Sequence, residues 1–471
     1  VSLTPFTLRF DSGTLLLDGA DRAARVPSEF RWDERVLRWR APASAYRHVV
    51  RDLFRSKTPY EDQARAYDKF DFSSTSETEP RPYQQQAIEE WMRRGRCGVV
   101  ILPTGAGKSL VAQMAIERTN RSTLVVVPTL DLMNQWYDLL TKSFRAEVGL
   151  IGGGYYELGA LTVTTYASAF RFMERLGNQF GLVIFDECHH LPSSANRYAA
   201  EMAIAPFRLG LTATPERADG EERSLERLIG PILFRREAHE MAGQYLADYR
   251  IVRLNVRLSA EERVFYERER QIFRRFLSEK GIDLAGLTGW QSFIRASARS
   301  PEGRRAMQAY RESKRVALGT DAKLRVLMEL LARHSQERTL IFTAENEMVY
   351  RISDQFLIPA ITHQTGIKER SFWLEAFNKG EVLALATSKV LNEGVNIPAA
   401  AVAVVLSGSG STREHIQRLG RILRKQPGKE AVLYEVIASE TTEEGISERR
   451  TSAAQFREAG YSAFFGWAGE G

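Results

Sequence analysis

A chain of 471 residues, 44% hydrophobic and 26% charged, is long enough for about three domains and has the balance of a globular protein, which excludes disorder on a large scale. No apolar run approaches the eighteen or so residues needed to span a bilayer, and the opening VSLTPFTLRF lacks the basic-then-apolar order of a leader, so a cytoplasmic location with no membrane partner is expected. The two cysteines, Cys97 and Cys188, stand in unrelated contexts and exclude a disulfide framework or a zinc site; Cys188 reads as a small buried apolar residue.

Residues 1–78 form a first unit whose apolar stretches FTLRF, TLLL and RVLRW read as short strands, followed by the polar run DFSSTSETEPRP, which reads as a linker. From residue 79 to 242, apolar strands alternate with amphipathic helices: GVVIL, STLVVVP, LTVTTY, LVIFDE and FRLGLTAT predict a doubly wound parallel sheet. Residues 243–318 begin a second lobe and break its alternation with long charged helical segments. Between Glu261 and Arg315 stand 13 Lys and Arg against 8 Asp and Glu, and that net +5 is most of the whole chain's formal charge of +6. Alternation returns over 319–471 in TLIFTA, AITHQ, VLALATS, AVAVVLSG and AVLYEVIA. The predicted class is α/β, with two doubly wound lobes, a separate N-terminal unit and a helical insertion.

The stretch LPTGAGKS carries the first chemistry. Gly105 and Gly107 free the backbone to turn its N–H groups inward, Lys108 adds a point charge, and a helix begins with the positive end of its dipole. These are the parts of a triphosphate cradle, in the variant that has Leu102 where the commoner spacing has a glycine. In LVIFDECHH an apolar strand ends in paired acids, which suits Asp186 for Mg²⁺ and Glu187 for orienting or deprotonating a water. His189 and His190 are adjacent, point in different directions and have no further ligands clustered with them, so they are not read as a metal pair. In QRLGRILR, Gln417 precedes Arg421 and Arg424, whose spacing puts both arginines on one helix face, able to reach a γ-phosphate held by the other lobe.

Taken in order, RPYQ, PTGAGKS, VPT, TTY, DECHH, LTATP, SKVLNEGVNIP and QRLGRILR resemble the motifs of superfamily 2 helicases. With APFRLGLTATPER, AENEMVYRIS, FLIPAITH, VLSGSGSTREHIQRLGRILR and AVLYE the chain is similar to the archaeal XPB helicases over nearly its whole length. The resemblance implies two RecA-like lobes, an N-terminal damage-recognition domain and a DNA-gripping thumb. By the same resemblance Gln84, with Arg81 nearby, would read adenine. Pro103, Thr104, Gly105, Ala106, Gly107, Lys108 and Ser109 would hold ATP, and Ser109 and Asp186 the Mg²⁺. Thr129, Thr165 and Thr365 would touch the nucleic-acid backbone, and Thr212, Thr214, Gly394 and Asn396 would couple hydrolysis to motion. Arg274 and Arg275 in the basic insertion are read as phosphate contacts, among Phe273, Phe276, Trp290 and Phe293; helical spacing marks Phe273 and Phe276 as packing residues before base platforms.

Two departures stand out: Asn396 replaces the usual acid of that motif, and the family's Arg-Glu-Asp triplet is Arg217, Ala218, Asp219 here. The reading is an ATP-dependent DNA translocase and 3′ to 5′ helicase of DNA repair, a monomeric motor acting on duplex, forked or damaged DNA beside a structure-specific nuclease. An RNA helicase or a restriction-type translocating subunit shares the motor motifs, since phosphate contacts do not report the sugar. A non-catalytic scaffold is the rival of another class, against which the intact Lys108, Asp186, Glu187, Arg421 and Arg424 argue.

Overall fold

The computed structural model describes residues 5–388, except 23, 76–77, 218, 242–243, 246–248 and 285–287, together with 400–408, 431–451 and 465–466. The chain parts after Ala238 into two compact units.

In the first unit the N-terminal residues form a five-stranded sheet in the order Arg31–Asp33, Arg38–Pro42, Thr14–Asp18, Phe6–Asp11, Tyr60–Asp62, antiparallel except for the last pair. The stretch RVLRW is strand only from Arg38, because Leu37 turns the chain with φ +52°. Helix Tyr46–Arg55 buries Tyr46, Val49 and Leu53 against Leu8, Leu15 and Leu17 of this sheet. Ile204, from far along the chain, completes that core.

The segment expected as a linker is a strap. Asn178 Nδ2 donates to the Ala64 carbonyl at 3.0 Å and the Ala66 N–H donates to the Asn178 carbonyl at 3.0 Å. Further on, the Phe72 N–H donates to Asn120 Oδ1 at 2.9 Å and the Thr75 N–H to the Ser143 carbonyl at 2.8 Å. Phe72, the one large apolar residue of the polar run, is buried and meets Phe144 edge-on at 6.0 Å. Composition alone hides this, since a single phenyl ring and a few backbone bonds suffice to seat the segment.

The rest of this unit is an eight-stranded sheet in the order Ile232–Arg235, Cys97–Ile101, Phe207–Thr212, Leu182–Asp186, Thr123–Val127, Leu161–Thr165, Val148–Gly152, Tyr155–Tyr156, parallel but for the final hairpin. Its central strands are buried from end to end, as strands covered on both faces by helices must be. Cys188 lies in this core, as its context suggested.

The second unit has a seven-stranded parallel sheet in the order Ala360–Ile361, Ala384–Thr387, Thr339–Phe342, Val402–Val405, Ala431–Ala438, Tyr249–Val256, Phe465–Gly466. Between Val256 and this lobe's first helix the chain makes three helices. Ala260–Lys280 starts on a Ser259–Glu262 capping box and stops at Gly281, φ +61°. Gly289–Ala298 follows, and Pro301–Gly319 begins with proline in its first turn and Ser300 capping it. Phe273, Phe276 and Phe293 form its core with Ala306 and Ala309, and the buried Glu269 is held by both terminal nitrogens of Arg305 at 2.6 and 2.8 Å. All three phenyl rings are therefore packing residues, which corrects the stacking reading of Phe293; Trp290 stays 41% exposed. Elsewhere in this unit the fully buried Lys323 donates to Glu443 Oε2 and to the Leu406 carbonyl, both at 2.6 Å.

Two measurements test these contacts. Asn120 has φ +49°, so Asn120→Gly keeps the backbone while deleting the strap's side-chain acceptor. The expected loss is about 1 kcal/mol, with faster protease cleavage between residues 69 and 80; unaltered cleavage would show that other contacts suffice. Lys323→Met takes the ammonium group away from the buried Glu443, for an expected loss of roughly 3–5 kcal/mol in urea unfolding, largely recovered by adding Glu443→Gln.

Candidate active site

The phosphate loop follows from its strand. Cys97–Ile101 lies one strand in from the sheet's edge, between Ile232–Arg235 and Phe207–Thr212, and beyond its end the Leu102 N–H still donates to the Thr212 carbonyl at 3.0 Å. The chain then turns through Pro103 to Gly107, with φ +84° at Gly105 and +77° at Gly107, and helix Lys108–Thr119 starts at once. A side chain at either glycine would force the left-handed region at a cost of about 1 kcal/mol or more. Thr104 Oγ1 is buried in this loop with no protein partner, and Ser109 sits half-buried in the helix's first turn. Both amide hydrogens of Gln84 are used on the loop, donating to the Ala106 and Gly107 carbonyls at 3.0 and 3.2 Å, while its Oε1 accepts from the Arg81 N–H at 2.8 Å. Reading adenine through this amide requires it to exchange those bonds. Tyr83 adds a hydroxyl donated to the Ala106 carbonyl at 2.7 Å, so the first turn of helix Pro82–Arg93 braces the loop.

Two strands away, Leu182–Asp186 delivers its carboxylate at the same carboxyl edge. Asp186 Oδ2 accepts from Trp136 Nε1 at 2.8 Å and Oδ1 accepts from the Glu187 N–H at 3.0 Å. Burial pushes the Asp186 carboxyl up to about 6, Glu187 adds to that, and Lys108 opposes it. A buried carboxylate and the serine hydroxyl in the first turn of the helix after the phosphate loop are both oxygen donors, the ligand type that suits a hard divalent cation. Glu187 has φ +45°, a strained conformation for a residue with a side chain. Its Oε1 lies 3.8 Å from Lys108 Nζ, and its Oε2 accepts from Thr212 Oγ1 at 3.4 Å and lies 3.5 Å from His189 Nδ1. The Thr212 hydroxyl also lies 3.1 Å from the Thr214 carbonyl, an alternative acceptor for its one hydrogen, and accepts from the Thr214 N–H at 3.2 Å, which joins the strand after the acids to the acids themselves. Lys108, Asp186, Glu187, Thr212 and Thr214 are thus one cluster.

Other expected residues hold structure. Thr129 and Thr165 cap helices Leu130–Ser143 and Tyr166–Leu176, accepting from the Leu132 and Ser168 N–H groups at 3.2 and 3.1 Å. In the second unit Thr365 Oγ1 accepts from the Thr362 N–H at 2.9 Å. Arg217 grips Asp219 with two bonds of 2.8 and 2.6 Å, which holds that carboxyl down at about 2, and donates to the His189 carbonyl at 2.7 Å. It braces the turn after the acids. Arg274 and Arg275 are exposed on helix Ala260–Lys280, Arg275 paired with Glu279 at 2.7 Å. Ala218, Gly394, Asn396, Gln417, Arg421 and Arg424 lie outside the described residues. Sequence reasoning passed over Tyr83, Trp136 and Tyr166. Each sits at a spacing that marks a core aromatic, and the only signal of a polar task is that each carries a donor in a buried position.

Three family models match this chain: the Xeroderma pigmentosum group B helicase damage recognition domain over residues 8–64, the res subunit of type III restriction enzymes over 77–217, and the helicase conserved C-terminal domain over 322–426. The DNA 3'-5' translocase XPB2 of Sulfurisphaera tokodaii is 39% identical over 444 residues, covering 94% of this chain and 99% of that protein. The DNA 3'-5' helicase XPB of Mycobacterium tuberculosis is 31% identical over 384 residues, 79% of this chain and 62% of that protein. The crystal structure of the Pyrococcus furiosus Hef helicase domain superimposes with a TM-score of 0.50 at 19% identity, over 78% of this chain and 97% of that one, a likeness of fold. With the phosphate loop and the acid pair meeting at one sheet edge, and identity to a relative sustained over nearly all of both chains, this chain belongs to the XPB family of helicases.

Proposed function

We propose that this protein is a Mg²⁺-dependent ATPase that translocates along DNA with 3′ to 5′ polarity and separates strands in DNA repair, in cooperation with a structure-specific nuclease. The observation that carries the reading is the convergence of Lys108, Asp186 and Glu187 at the carboxyl edge of one parallel sheet. In this reading the backbone N–H groups of residues 104–109 cradle the triphosphate and Lys108 turns from Glu187 to the phosphates. Ser109 and Asp186 hold Mg²⁺, which when bound neutralises charge on the phosphate oxygens. Glu187, freed from Lys108, orients the attacking water and takes its proton. Thr212, bonded to Glu187 and Thr214, feels that change and passes it along the chain.

The insertion supports the nucleic-acid side. Its buried Glu269 is neutralised by Arg305, Arg274 is exposed, and Arg275, exposed beside it, is shared with Glu279, from which a phosphate would have to draw it. Among the described residues no helix is long and apolar enough to cross a membrane. Hydrolysis stimulated by DNA more than by RNA of matched length is the expected result of the primary test. Stronger stimulation by RNA favours an RNA helicase, and no hydrolysis at all favours a scaffold.

Glu187→Gln is expected to leave nucleotide affinity within about twofold of the parent while phosphate release falls by a factor on the order of a hundred or more. Lys108→Ala should weaken nucleotide binding itself, and equal affinity losses in the two variants would contradict these roles. Changing Arg274 and Arg275 together to Ala should lower DNA affinity for all sequences alike and flatten log K against log salt by up to about two units. An unaltered slope would remove both residues from the DNA path.

A further inference from the structure

Asp186 is reached by aromatic donors from two helices. Trp136 Nε1 donates to its carboxylate at 2.8 Å, and the Tyr166 hydroxyl donates to its backbone carbonyl at 3.1 Å. Both donors are buried, at 4% and 3% exposure, so neither bond is shared with solvent. Trp136 belongs to helix Leu130–Ser143 and Tyr166 opens helix Tyr166–Leu176. These are the helices capped by Thr129 and Thr165, the two residues of this lobe assigned above to the nucleic-acid backbone. The strands that lead into them, Thr123–Val127 and Leu161–Thr165, lie next to Leu182–Asp186 and next but one in the sheet. Their first turns also share one neighbour: a Cβ on Gly152 would stand 2.8 Å from Ser168 Oγ and 3.2 Å from Met133 Sδ, and one on Gly153 would stand 3.1 Å from a Leu130 methyl. A displacement of either first turn is felt by the other through this close-packed glycine turn.

We infer that Trp136 and Tyr166 are positioning residues that couple DNA binding at the two helix ends to the ATP site, by setting the carboxylate and the backbone of Asp186. Trp136 fixes the carboxylate rotamer. With Oδ2 held by the indole and Oδ1 by the Glu187 N–H, the direction of the remaining lone pairs is determined by where helix Leu130–Ser143 sits. Tyr166 fixes the peptide that follows. Its hydroxyl anchors the carbonyl immediately before Glu187, whose left-handed backbone is held against its own preference. A small shift of the helices under a bound phosphate backbone thus moves both the Mg²⁺-binding oxygen and the catalytic acid. The inference rests on the DNA reading of Thr129 and Thr165.

The test measures a linkage instead of a rate. In the full chain, the DNA dissociation constant is determined by fluorescence anisotropy without nucleotide, and again with Mg²⁺ and a non-hydrolysable ATP analogue; the ratio is the coupling factor. Reciprocity requires the same factor in nucleotide affinity with and without saturating DNA. Tyr166→Phe deletes only the hydroxyl and Trp136→Phe keeps an aromatic while deleting the donor. Each should bring the coupling factor at least threefold closer to one, with nucleotide-free DNA affinity near the parent's. Tyr166→Phe, which removes a single oxygen, decides the matter if Trp136→Phe does not fold. A wild-type coupling factor retained by both folded variants overturns the inference and leaves the DNA reading standing. A nucleotide-free DNA affinity that falls as far as the total change also overturns it, since the residues would then only shape the surface. A parent protein with no coupling at all overturns the DNA-driven motor reading and the inference with it.

Discussion

A carboxylate placed at the end of a fully buried strand is the constraint around which the first unit is arranged. Burial raises the pKa of Asp186 to about 6, above the ordinary carboxylate range. For an acid raised in the folded state, ionisation opposes folding above the folded pKa, and the penalty disappears as the pH falls below the unfolded value. At neutral pH the apo fold therefore carries an electrostatic cost that Lys108, Trp136 and the Glu187 N–H only partly offset. The backbone at Glu187, the next residue, is strained as well.

The parallel sheet makes this arrangement possible. Every strand of its core points the same way, so the loops after Ile101, Val127, Thr165, Asp186 and Thr212 all emerge at one edge. The glycine loop with Lys108, the acids, Thr212 and Thr214 therefore reach one another although more than a hundred residues separate Thr104 from Thr214. The opposite edge is occupied differently. There the strap from Ala64 to Thr75 and the buried Ile204 tie the five-stranded sheet to the helicase lobe. Hydrogen bonds at Ala64, Ala66, Phe72 and Thr75 thus fasten the segment after the five-stranded sheet to the neighbouring lobe at several points.

Much of this was legible before any coordinates. Strands of about five apolar residues bounded by glycine, proline or acids have few alternatives in an alternating α/β pattern, so five strands of each lobe followed from periodicity, whereas Val148–Gly152, Tyr155–Tyr156, Ile232–Arg235 and Tyr249–Val256, less uniformly apolar or glycine-flanked, were passed over. The phosphate loop was legible because glycine, lysine and a following helix leave little other use for one another. The strap was not, since a polar composition says nothing about where a lone Phe72 is buried. Nor was the use of Gln84, whose amide braces the loop here: a glutamine ahead of a helix reads the same whether it faces a base or a carbonyl. Phe273, Phe276 and Phe293 are packing residues, because three helices of this length need their own core before they can present a charged face.

Aromatic donors were the least legible feature, and the reason is general. In a helix such as LDLMNQWYDLLTKS the tryptophan falls on the apolar stripe with Met133 and Leu140, and hydrophobic burial alone accounts for it. Its N–H adds nothing to that pattern, since one donor atom does not alter periodicity. Yet a buried indole must find an acceptor, and the acceptor nearest the sheet's carboxyl edge is Asp186. The same rule applies to the Tyr166 hydroxyl and to Tyr83, each satisfied at a catalytic element and not in the general core. At these three positions, satisfying a buried polar atom also ties a helix to the phosphate-binding loop or to Asp186: the donor that the core cannot leave unpaired finds its acceptor there.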